Sequence, residues 1–142
     1  MAKTFKLKVI TPERIVFEKD VEKLTATARD GQLTILPNHE PLVTALGIDV
    51  MRATASGEEY GAAIIGGILE VGVNEVTILT DTAEMGIEID EARAKQAQAR
   101  AEAEKTQRAD KLETHAAELA LARAVARLRA VEMAKTRKKM HH

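Results

Sequence analysis

The sequence predicts an α+β protein: an N-terminal antiparallel β-sandwich over residues 1–86, then a two-helix antiparallel hairpin over residues 87–142. Three observations carry that expectation. All 8 glycines and all 3 prolines lie at or before Gly86, so the chain changes character at one point. Before it, short apolar or alternating runs recur between turn residues, the pattern of packed strands. After it, the chain is rich in Ala, Glu, Lys, Arg and Gln, which favour helix.

The strands follow in order. Phe5-Lys6-Leu7-Lys8-Val9-Ile10 alternates and stops at Thr11-Pro12; Val21 to Ala28 alternates and stops at Asp30-Gly31. Leu33-Thr34-Ile35-Leu36 ends at Pro37-Asn38, Ile48 to Ala53 at Ser56-Gly57, and Tyr60 to Ile65 at Gly66-Gly67. Ile68 to Val71 and Val76 to Leu79 flank Gly72-Val73-Asn74, a hairpin turn. About seven to ten short strands result. They close as two sheets, because side chains alternating at period two fill one face of each.

The helical half is expected to break once. Lys105 to Asp110 lacks apolar periodicity, and Asp110-Lys111-Leu112-Glu113 is an N-cap signal with Glu three residues on. The reading is a helix from about Asp90 to Lys105 and another from about Asp110 to Arg137. Unbroken, the segment would form a rod of roughly 75 Å. The first helix carries alanines at 92, 94, 97, 99, 101 and 103 and almost no large apolar side chain, so its docking is marginal. The second has an apolar stripe of Ala117, Leu121, Ala124, Leu128 and Val131.

With 142 residues the chain has material for one domain, or a small domain with an appendage, and not for a large enzyme cleft. It has no cysteine, which removes thiol chemistry and disulfides. No run of about 18 apolar residues and no signal-peptide core occur, so a soluble, cytoplasmic protein is expected. Charge is divided: residues 1–86 hold 8 Lys/Arg against 13 Asp/Glu (−5), and residues 87–142 hold 13 against 9 (+4). From Leu119 onward seven basic residues face the single acid Glu132, a +6 tail that seeks an acidic partner.

Catalytic chemistry is scarce. His39 beside Glu40 sits in a loop pinned by Pro37 and Pro41, and neighbours in sequence rarely converge on one substrate. There is no nucleophile elbow and no metal-ligand spacing, so no catalytic or metal site is expected. Arginines are the exception. Arg123 and Arg127 share one face of the second helix, and Arg93 and Arg100 share one face of the first. A hairpin folded about residues 106–110 sets position 93 opposite 123–127, with Asp90 as the local counter-charge. Such a cluster fits a phosphate-bearing anion. The plainer reading makes the arginines a solvated face and Asp90 an N-cap.

Asp30-Gly31-Gln32-Leu33-Thr34-Ile35-Leu36-Pro37-Asn38-His39-Glu40-Pro41, followed by Gly66-Gly67-Ile68-Leu69-Glu70-Val71, resembles the N-terminal sandwich of the epsilon subunit of bacterial F-type ATP synthases. The resemblance extends over essentially the whole chain. It implies a non-catalytic subunit whose sandwich binds the gamma subunit and the ring of c subunits, on the cytoplasmic face of the bacterial cell membrane. It implies neither nucleic-acid binding nor direct membrane insertion. Ile89-Asp90-Glu91-Ala92-Arg93-Ala94 matches the I/L-D-x-x-R-A motif through which some such subunits bind ATP. By that resemblance Glu84, Ile89, Asp90, Arg93 and Ala94 correspond to the adenine and ribose side, and Arg100, Arg123 and Arg127 to phosphate contacts. ATP, with or without Mg²⁺, would be a regulatory ligand favouring a compact hairpin. Extended, the basic second helix would insert among the catalytic alpha and beta subunits and oppose ATP hydrolysis. Two rivals stand beside this: a purely structural stalk protein without nucleotide, and a β domain with a basic helical tail for nucleic acid.

Overall fold

The computed structural model describes residues 3–107 and 111–140. Eight strands come first: β1 (Phe5–Ile10), β2 (Ile15–Val21), β3 (Lys23–Ala28), β4 (Gly31–Ile35), β5 (Leu42–Ala55), β6 (Glu58–Val71), β7 (Glu75–Leu79) and β8 (Ala83–Met85). A 3-10 turn at Gly86–Glu88 leads into α1 (Glu91–Gln107) and α2 (Lys111–Met140). The break expected at Lys105–Asp110 falls largely on Arg108, Ala109 and Asp110, outside the described residues.

Period-two alternation builds the core. In β1, Phe5, Leu7 and Val9 are buried while Lys6 is exposed, and β3 buries Leu24, Ala26 and Ala28 in the same way. Apart from Ala28, these join Val21, Ile35, Met51, Leu69, Val76 and Ile78 in one apolar core. Each such aliphatic side chain contributes about 1.5–3 kcal/mol on burial.

Four features depart from the expected sandwich. Its strands form one hydrogen-bonded sheet, in the order β2-β1-β7-β6-β5-β3-β4 with β8 on β6, and not two separate sheets. The layers arise because this sheet folds over, so that β2 packs across the core against β5 and β8 without pairing with either. The β1–β7 pairing is parallel, the others antiparallel. Strand β2 carries a weak signal, since only Phe17 and Val21 are buried and Glu18-Lys19-Asp20 face water.

The fourth departure is at Gly66-Gly67, which does not end a strand. β6 runs 14 residues through it, paired with the 14-residue β5 along its length. On its other edge β6 pairs β8 over Ala62–Ile64 and β7 over Ile68–Val71. The two glycines sit where that partner changes, with φ of 75° and 135°. Those are values that L side chains rarely adopt. They let one strand bend from one layer into the other.

α2 lies on the outer face of the β5–β6 pair. Val50 and Ala63 from that face pack with Ala126 and Ala130 of α2, flanked by Ile48, Ile89 and Met133. On its other side α2 buries Ala117, Ala124 and Val131, and α1 buries Ala94 and Ala101. The expected stripe of Ala117, Leu121, Ala124, Leu128 and Val131 is thus half right: Leu121 and Leu128 are only half-buried.

Replacing Leu24, fully buried in the sandwich core, by alanine is expected to lower stability by about 2–5 kcal/mol. Urea unfolding followed by circular dichroism measures it.

Candidate functional site

The eight motif-related residues lie along the seam between sandwich and hairpin. Glu84 is on β8 and half-buried, and its Oε1 accepts a hydrogen bond from Arg127 Nε at 2.7 Å. This ion pair ties α2 to the sandwich across 43 residues of sequence. Ile89 follows the 3-10 turn and packs beside Val50, Ala63, Ala126 and Ala130. Asp90 caps α1: its Oδ1 accepts from the Arg93 backbone N–H at 3.1 Å, and its carbonyl accepts from Ala94 N–H at 3.0 Å. Ala94 is buried between the helices. Arg93 and Arg100 are exposed on α1, and Arg123 is half-buried on α2. Among the described residues none of these three arginines has a carboxylate partner.

Two expectations change. Asp90 does not serve as the counter-charge of the cluster; its carboxylate is taken up by the helix N-terminus, which offers unpaired N–H groups. Glu84 neutralises Arg127 instead. The hairpin register is also shifted. Glu91 reaches Lys135 at 2.8 Å, so counting back along antiparallel helices sets Arg100, and not Arg93, level with Arg127. Burial explains the shift: Ala94 and Ala101 repeat every seven residues, as do Ala117, Ala124 and Val131. The chain nests those two rows.

Three carboxylates of the seam each hold a cation from another element. Glu84 holds Arg127, Glu88 holds Arg14 of the β1–β2 turn at 2.7 Å, and Glu91 holds Lys135. The hydrogen bond from Arg14 keeps the Glu88 carboxyl below its ordinary value. Lys135, then Lys95, does the same for Glu91. Sequence reading did not find this clasp, because its partners are 43 to 74 residues apart.

A cavity of about 770 Å³ lies on the opposite side of α2, between the β5–β6 turn and the helices. It is lined by Arg52, Gln98, Val125, Leu128 and Met133 among others, and by none of the eight seam residues. No group of three or more His, Cys, Asp or Glu able to hold a metal occurs among the described residues.

A depressed carboxyl contributes stability above its unfolded pKa and loses it as pH falls through the lower folded value. For Glu88 and Glu91 that contribution is complete above about 4.5 and fades below it. The thermal midpoint of the double variant Glu88→Gln, Glu91→Gln is expected to fall less steeply than that of the parent between pH 5 and pH 3, about the range below the free carboxyl value. Parallel pH profiles in calorimetry would remove the clasp from the account.

Comparison with known proteins places this geometry. Residues 4–86 match the beta-sandwich domain of the ATP synthase Delta/Epsilon chain, and residues 88–132 match its long alpha-helix domain. The ATP synthase epsilon chain of Desulforamulus reducens is 41% identical over 132 residues, 93% of this chain and 100% of that one. That of Syntrophomonas wolfei is 45% identical over 130 residues, 91% and 95% of the two chains. A chain in the cryo-EM structure of the Euglena gracilis mitochondrial ATP synthase, covering OSCP, F1 and c-ring, superposes with a TM-score of 0.74 at 24% identity. The match covers 84% of this chain and 76% of that one, a likeness of fold. The fold, the matched domains and the relatives agree: the chain belongs to the epsilon-chain family of ATP synthases, as a non-catalytic stalk subunit.

Proposed function

We propose that this chain couples the rotor of its synthase to the catalytic part and regulates ATP hydrolysis through a hairpin that exchanges between the docked form and an extended one. ATP favours the docked form by binding at the seam. The observation that carries this is the cation imbalance there: Arg93, Arg100 and Arg123 lack carboxylate partners among the described residues, beside the Arg127–Glu84 bridge. Phosphate oxygens suit guanidinium forks on both helices and would tie α1 to α2. Glu84, Ile89, Asp90, Arg93 and Ala94, around the start of α1, take the nucleoside side, and Arg100, Arg123 and Arg127 the phosphates. Any Mg²⁺ would arrive on the phosphates, since no carboxylate cluster waits for it among the described residues.

The sandwich is the proposed docking surface for the gamma subunit and the c-subunit ring. α2, basic toward its C-terminal end, is the element proposed to meet acidic surfaces of the alpha and beta subunits when extended. The assembly lies at the cytoplasmic face of the cell membrane in this reading. No helix of the described residues is long and apolar enough to cross a membrane.

A second reading, a purely structural stalk subunit, has its own support. Glu84 already neutralises Arg127 and Asp90 already caps α1, so part of the seam is satisfied without a ligand. Melting in the presence of ATP separates the two. A ligand at 100 times its Kd adds about 2.7 kcal/mol to the form that binds it. ATP is expected to raise the thermal midpoint of the isolated chain, and Arg123→Ala or Arg127→Ala to abolish the rise. Equal midpoints with and without ATP in the parent chain leave the structural reading.

A further inference from the structure

The way α2 meets the sandwich reserves space at two glycines. A Cβ built on Gly61 of β6 would lie 2.6 Å from Met133 Sδ and 3.1 Å from Met133 Cβ, and its nearest neighbours are all atoms of that one side chain. A Cβ on Gly86 would run into the backbone carbonyl of Ala130 and come within 3.2 Å of the Ala134 Cβ. Both obstacles belong to α2 alone. Neither glycine is among those with positive φ, so alanine suits the backbone at each position. The glycines therefore serve the approach of the helix and not the shape of the sandwich.

Gly86 also opens the segment that must turn for the hairpin to extend. It begins the 3-10 turn Gly86–Glu88, it is buried, and its roof is Ala130 and Ala134. Further along, Ile89 sits in the same apolar cluster as Ala126 and Ala130. The β8-to-α1 joint thus lies beneath the helix whose release it has to permit. α1 makes its principal contacts with α2, whereas α2 packs on β5, β6, β8 and the turn.

Resting on the docked/extended reading above, we propose that α2 clamps its own hinge: the Gly61–Ala63–Gly86 seat holds Ala126, Ala130 and Met133 over the joint, so α2 must lift before the joint can turn. Release is then a single cooperative step and not a gradual swing about residues 86–90. The contact is close, and small side chains make up its centre. It buries little area, so a modest input reverses it.

The chain has no cysteine, so Val50→Cys places a single thiol in the seat, where Val50 is 6% exposed. Its labelling rate by a maleimide reports how often the intact chain opens there. Adding Gly86→Ala is expected to raise that rate about tenfold or more, while amide exchange in β1, β3 and β7 stays protected. Gly61→Ala is expected to raise it less, because Met133 is a flexible side chain, and Met133→Ala added to Gly61→Ala should return the rate to that of the parent. An unchanged rate with Gly86→Ala, lost protection of the sandwich strands, or failure of Met133→Ala to restore Gly61→Ala would each overturn the clamp. ATP titration of the parent chain is read separately. The labelling pattern with no ATP effect on melting upholds the clamp and dismisses only the nucleotide.

Discussion

The distance at which α2 approaches the outer face of β5 and β6 is the constraint on which the rest depends. Helices held by large apolar side chains keep their axes well apart, and small residues on both surfaces let backbones come close. Here Ala63 and Gly86 face Ala126, Ala130 and Ala134, and Gly61 faces Met133. Close approach brings Arg127 within 2.7 Å of Glu84 and Arg129 within 3.1 Å of Asp49. It also lays the Arg137 guanidinium 4.2 Å over the Tyr60 ring. One packing decision therefore places most of the polar contacts between the two halves.

Those contacts are electrostatic, partly exposed and individually weak. The sandwich is built differently. Its core side chains are buried, and its inner strands β1, β7, β6, β5 and β3 each pair with a neighbour on both edges. Sandwich and hairpin thus differ in the physics that holds them: area in the first, fit and charge in the second. Family membership as an epsilon chain of ATP synthases agrees with such a division, since two separate domain matches meet at the seam.

Much of the fold was legible before any coordinates. Alternation located β1, β3, β7 and parts of β4, β5 and β6, because a half-buried strand writes its burial directly into period two. It failed at β2, where three charged residues in a row mask two core positions. It failed again at Gly66-Gly67, because a glycine pair that ends a strand and one that bends it look alike in sequence. The helices were clear from composition, but the face that docks was not. Ala126, Ala130 and Ala134 repeat at four-residue spacing, yet alanine is a helix former everywhere, so its role as a contact surface is silent. Of the candidate site, the family resemblance pointed to eight residues that lie along the seam, and the structure gave their pairing: Glu84 with Arg127, Asp90 with the α1 N-terminus, Arg100 level with Arg127.

By itself the sequence determined where the chain changes from strand to helix, which side chains make the sandwich core, and which arginines share a helix face. These follow from local rules, backbone freedom at glycine and proline and the repeat lengths of strand and helix, which need no knowledge of distant partners. Only the tertiary structure decided how the sheet folds over itself, which register the helices adopt, and which acid answers which base. Those outcomes depend on pairs such as Glu88 with Arg14 and Gly86 with Ala130, separated by tens of residues. Their meeting is set by how whole elements pack, and no local pattern encodes that.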